Sequence, residues 1–90
     1  MLILKFKVSG NSMLPTLKEG QDILVWCWFY NPEVGDIVAL KKSGKEMVKR
    51  ISARTGGKFF CLGDNPKEST DSRSFGAITQ NEIIGKVIYK

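Results

Sequence analysis

Three segments of this chain hold side chains able to do chemistry. The first is Gly10-Asn11-Ser12-Met13-Leu14-Pro15-Thr16-Leu17. Its serine follows an alternating apolar stretch and precedes a proline-fixed bend. Such a junction exposes a hydroxyl and leaves nearby backbone N–H groups unpaired, which are the parts of a nucleophile and an oxyanion hole. Capping of the turn is the plainer role for Ser12. The second segment is Glu46-Met47-Val48-Lys49-Arg50-Ile51. On a strand, Met47, Lys49 and Ile51 share one face, and Val48 and Arg50 the other. Lys49 then has apolar neighbours, and burial disfavours its ammonium. Bringing it from about 10.4 to near 7 takes roughly 3 pH units, or about 4 kcal/mol. A neutral lysine amine is a competent general base. The plainer role is a stem that covers apolar surface while the head reaches water.

The third segment runs from Gly63-Asp64-Asn65-Pro66 through Ser69-Thr70-Asp71-Ser72-Arg73 to Gly76. It reads as a solvated loop of turn formers, or as an ordered loop pinned by an Asp71–Arg73 or Asp64–Arg73 pair. In the second case it presents Ser69 to the lysine amine, which needs its hydrogen bonds directed. The chain has no histidine. That excludes Ser-His-Asp and Cys-His catalysis and, with only two cysteines, a Cys/His zinc site within one chain. Cys27 and Cys61 allow one bridge at most. Each sits in an apolar run and reads as a buried thiol of a reducing compartment.

The elements that must position these groups are strands. The chain has 90 residues, 42% of them hydrophobic and 26% charged, enough for one domain spanning residues 1–90 with a small core. The dominant period is two. Leu2 to Val8, Asp22 to Trp28, Asp36 to Leu40, Glu46 to Ala53, Lys58 to Leu62 and Ile83 to Tyr89 read as strands, with a bulge marked by Gly85. Ser43-Gly44 and Thr55-Gly56-Gly57 make turns. One helical turn is expected at Thr16-Leu17-Lys18-Glu19, which has capping-box spacing and is stopped by Gly20. Short strands with almost no helix give an all-β fold of coiled antiparallel sheets or a partly open barrel.

Net charge is +5, but the lysines are scattered and form no stripe. A basic β-barrel that stacks single-stranded nucleic acid on its aromatics is therefore disfavoured. The longest apolar run, Ile23 to Tyr30, is far shorter than the roughly 20 residues of a spanning helix. The N-terminus, broken by Lys5 and Lys7, lacks the continuous core of a signal peptide. A cytoplasmic protein is expected, with at most peripheral membrane contact through Trp26-Cys27-Trp28-Phe29-Tyr30.

Four blocks in order resemble the signal peptidase I family of Ser-Lys serine proteases: Ser12-Met13-Leu14-Pro15-Thr16, Gly35-Asp36-Ile37-Val38, Val48-Lys49-Arg50-Ile51, and Gly63-Asp64-Asn65 with Ser69-Thr70-Asp71-Ser72-Arg73 and Gly76. The resemblance implies Ser12 as nucleophile, Lys49 as general base, Ser69 as the hydroxyl that orients the lysine, and Asp71 with Arg73 as a structural pair. The Ser12 N–H would form part of the oxyanion hole. Relatives place a serine hydroxyl two residues before the nucleophile, where this chain has Gly10, so a backbone group or water must stand in there. Val8, Met13, Leu17 and Val48 would line a small apolar substrate pocket. No cofactor is implied, and the partner is a precursor polypeptide bound as an extended strand. A second departure is Gly20-Gln21-Asp22, where relatives have aspartate directly after the glycine.

The ordinary signal peptidase carries a membrane anchor and a large β-domain inserted after the lysine strand, while here only Ser52 to Leu62 separates that strand from the Gly63 loop. The blocks 63–66 and 69–76 resemble small members akin to the nickel-type superoxide dismutase maturation protease. General signal-peptide removal with an anchor supplied by a partner, and a self-cleaving domain like those of SOS repressors, are the alternatives.

Overall fold

The period-two stretches pair into one antiparallel sheet. A computed structural model describes residues 3–27 and 31–89. Among them the strands are β1 (Ile3–Lys7), β2 (Asp22–Trp26), β3 (Ile37–Lys42), β4 (Lys45–Thr55), β5 (Lys58–Leu62), β6 (Ile78–Thr79) and β7 (Ile83–Tyr89). Their order is β1-β2-β7-β3-β4-β5-β6, so the sheet is open, as an all-β fold of this size allows. The aromatic run expected at a membrane surface reaches Trp28, Phe29 and Tyr30, which lie outside the described residues.

Two hairpin turns fix the register of the middle strands. Ser43 (φ 52°) and Gly44 (φ 80°) join β3 to β4, with Lys42 opposite Lys45. Gly56 and Gly57, both at positive φ, join β4 to β5. Successive positive φ values give a turn whose twist matches that of the strands, which is why glycine serves there. Gly85 does mark an irregularity. Ala39 faces Gly85, but Leu40 faces Ile83, so Ile84 is the extra residue. A methyl group at Gly85 would strike the Trp26 carbonyl.

The coil of the sheet gives β3 cover on both sides, and Ile37 to Leu40 are buried without alternation. Ile37 and Ala39 join Val8, Met13, Leu17, Ile23 and Val25 in one core. Val38 and Leu40 join Ile51, Phe59, Cys61 and Ile78 in the other. As expected of β4, Val48 packs on the first core, and Met47 and Ile51 on the second. At about 25 cal/mol per Å² of apolar surface, such doubly covered positions are where a chain this short gains most of its stability.

The helical turn lies elsewhere than the Thr16–Glu19 spacing suggests. The segment around Ser12 turns three residues earlier, with the Leu17 N–H bonded to the Met13 carbonyl at 2.9 Å and a cis Leu14–Pro15 peptide. The helix is α1 (Ser72–Phe75), inside the stretch read as loop, and Asp71 caps it by accepting from the Arg73 N–H. A capping pair does form at Thr79 and Glu82, at a 3-10 turn. Thr16 spends its hydroxyl on Asp64 instead, at 2.6 Å.

Candidate active site

Lys49 sits on β4 opposite Val38 of β3, and only 4% of it is exposed. Its Nζ lies 2.8 Å from Ser12 Oγ. Burial pushes the amine below its ordinary value. The negative charge of Asp71 opposes that shift, and Lys45 and Arg73 add to it. An amine held this way is predisposed to lose its proton and to take one from a neighbouring hydroxyl.

Ser12 is held from the side by the Gly63 loop. The Asn65 N–H donates to the Ser12 carbonyl at 2.8 Å, and Asn65 Nδ2 donates to the Asn11 carbonyl at 3.0 Å. Asp64 binds the same turn through Thr16, and its carboxylate takes both Arg50 Nε (2.9 Å) and Arg50 Nη2 (2.8 Å). Arg50 is the residue after Lys49 and points to the other face. One β4 dipeptide therefore sets both the amine and the anchor of the hydroxyl that it meets. Among the described residues the Ser12 N–H has no hydrogen-bond acceptor, so it is available to an oxyanion. The Gly10 N–H is turned to Glu19 Oε2, at 3.3 Å.

Gly63 lets the loop come this close. A Cβ there would strike Ser69 Oγ and lie 2.6 Å from the Ser12 carbonyl. Gly63→Ala should thus cost about 1–3 kcal/mol in thermal unfolding, as overpacking against backbone does. An unchanged melting temperature would contradict the close approach.

Asp71 is wholly buried and accepts from the Gly63 N–H (2.9 Å), the Ser69 hydroxyl (2.7 Å), the Arg73 N–H (3.1 Å), Arg73 Nε (2.9 Å) and Arg73 Nη2 (2.7 Å). Of the two pairings open in the sequence, Arg73 takes Asp71, and Asp64 goes to Arg50. Ser69 gives its hydroxyl to Asp71, while the lysine meets Ser12. Ser72 pins α1 to β5 by accepting from the Cys61 N–H at 2.9 Å. Both cysteines are free, and burial pushes the Cys61 thiol up to about 11, which leaves it a poor nucleophile.

A groove of about 470 Å³ runs past the Ser12–Lys49 contact. Val8, Met13 and Val48 line it, whereas Leu17 is wholly buried in the core behind. Its two long walls are open strand edges. Among the described residues β1 pairs only with β2, and β5 joins β4 only from Arg50 onward, which leaves Lys45 to Lys49 unpaired on that side. An extended peptide can add to such edges through main-chain bonds. No group of His, Cys, Asp and Glu among the described residues is arranged to hold a metal ion.

The pattern of the family described as Peptidase S24-like matches residues 4–88. The chain belongs to that family. Signal peptidases are among the curated proteins that it is similar to. It is 28% identical to Signal peptidase I U of Bacillus subtilis (strain 168) over 132 residues, covering 89% of this chain and 71% of that protein. It is 50% identical to Signal peptidase IB of Staphylococcus aureus over 34 residues, which cover 38% of this chain and 18% of that protein's length. Among the described residues no helix is long and apolar enough to cross a membrane.

The residues that sequence reasoning passed over in this family member are Thr16, Arg50, Asp64 and Asn65 as a unit. Their signal was the Gly63-Asp64-Asn65 block itself, whose two polar side chains have no core to enter and must bind something nearby.

Proposed function

We propose that this domain is a serine endopeptidase that uses Ser12 as nucleophile and Lys49 as general base to remove an N-terminal leader from a precursor protein. The observation that carries the reading is the 2.8 Å contact between Ser12 Oγ and the buried Lys49 amine. The substrate adds as an extended strand along the open edge of β4, with a small side chain before the scissile bond facing Val8, Met13 and Val48. Lys49 Nζ takes the Ser12 proton as Oγ attacks the scissile carbonyl carbon. The Ser12 N–H donates to the oxyanion. The C–N bond breaks as the Lys49 ammonium passes its proton to the leaving amine. Water then attacks the ester, again giving a proton to Lys49, and Ser12 recovers its own.

The substrate candidate is a nickel-type superoxide dismutase precursor, supported by the resemblance of residues 63–66 and 69–76. General signal-peptide removal is the second reading, and the names of the two relatives favour it. Two synthetic peptides separate them, one spanning the leader junction of such a precursor and one spanning an export signal junction. Ser12→Ala should lose cleavage of both while unfolding at the wild-type temperature. Full cleavage by Ser12→Ala would sink the mechanism. Intact mass after prolonged incubation tests self-cleavage, with an unchanged mass expected.

A further inference from the structure

We infer that Glu68 sets a charge preference for the substrate residues that follow the scissile bond. The inference rests on the Ser12–Lys49 peptidase reading. The groove is not uniform along its length. Its lining draws on the open edge of β4 from Lys45 to Lys49 and, from the Gly63 loop, on Glu68 and Thr70. With the acyl half of the substrate assigned to apolar Val8 and Val48, the leaving half is assigned to the part of the lining that the Gly63 loop supplies.

Glu68 is exposed, yet tethered. Its Oε2 accepts from Asn65 Nδ2 at 3.3 Å, and the same Nδ2 donates to the Asn11 carbonyl at 3.0 Å. Laid end to end, these bonds keep the carboxylate oxygen within about 6 Å of the backbone next to the nucleophile. An extended chain advances only about 3.3 Å per residue, so this reach falls on the first or second residue after the cut. The other charged groups lining the groove, Lys7, Lys45, Glu46 and Lys49, belong to β1 and β4. Glu68 is therefore the charge that the leaving half meets. It attracts a basic residue there and repels an acidic one, with a strength set by distance and screened by salt.

The test uses leader peptides identical except at the two residues after the scissile bond, set to Lys-Lys, Gln-Gln or Asp-Asp. The wild-type protein should cleave Lys-Lys over Asp-Asp by about tenfold in kcat/KM at low salt, with the ratio shrinking at high salt. Glu68→Gln keeps an acceptor for Asn65 and should bring the ratio to about one. Glu68→Lys should invert it. Structural damage alone would slow all three peptides together and leave the ratio in place. A wild-type ratio that survives in Glu68→Gln overturns this inference and leaves the peptidase reading standing. Wild-type protein that cleaves none of the peptides overturns the Ser12–Lys49 reading and this inference with it.

Discussion

Replacing Lys49 with methionine should abolish peptide cleavage and leave the protein at least as stable as before. A positioned general base contributes about 10²–10⁴ in rate, and in the proposed mechanism the same group also returns the proton to the leaving amine, so a fall of at least about a thousandfold is expected. Lys49→Arg should be just as inactive, because a guanidinium does not deprotonate in a protein. The stability half of the prediction follows from the direction of the shift. Burial holds the folded amine below its ordinary value of 10.5, so the folded state binds its proton less well than the unfolded state does. That is a cost at low and neutral pH, and it fades as pH rises toward 10.5. Methionine removes the buried charge and keeps the packing, a replacement that is often neutral or stabilising. The variant should therefore gain on wild type below the lowered value and lose that gain at alkaline pH. Cleavage by wild type should move in the related sense. The rate depends on the neutral amine, so kcat/KM should climb with pH through one ionisation lying below 10.5. A flat pH profile, or a cleaving Lys49→Met protein, would refute the base.

Much of this arrangement was legible because it depends on chain-local patterns. The absence of histidine, the alternation around Lys49 and the proline after Ser12 are all properties of neighbours in sequence. The bounds read for β5 and β7 are those observed, since Gly56-Gly57 and Gly63 bracket the first and β-branched residues dominate the second. What the sequence hid depends on register between distant strands. Arg50 reaches Asp64 because Leu62 lies opposite Arg50, which brings Gly63 and Asp64 to the side of β4. No spacing within either segment reveals that. The pocket reading fails in part at Leu17 for a related reason. Its position beside the Ser12 turn is clear in sequence, but the turn rotates it into the core with Ile23 and Val25. Strand β6 has two residues, too few for a period to be read from sequence. The capping-box spacing at residue 16 was outbid by a long-range partner: Thr16 and Asp64 are 48 residues apart, and a charged acceptor makes the stronger bond.

Removing the Asp71 carboxylate should damage the fold more than any other single change near the site. Burial by itself would raise this carboxyl, but the Arg73 guanidinium, the Gly63 N–H and the Ser69 hydroxyl outweigh it and hold it well below the usual range. Asp71→Ala would leave the Gly63 N–H buried without its acceptor and release Ser69 and Arg73 together. The cost should be about 3 kcal/mol, against a total margin of about 5–15 kcal/mol for a domain. A fall of more than about 10 °C in melting temperature follows for a chain of this length. Cleavage should fall with it, because the loop that Asp71 holds through the Gly63 N–H carries Asn65, whose own N–H binds the Ser12 carbonyl. Asp71→Asn isolates the charge. A depressed folded value means that the stabilisation is fully present above the unfolded carboxyl value of about 3.9 and drains away as pH falls below it. The stability gap between wild type and Asp71→Asn should thus be constant near neutrality and narrow in acid. Acid unfolding curves that keep the gap unchanged down to pH about 2 would show that the carboxylate is not the origin of the stabilisation, and that hydrogen bonding by a neutral group suffices.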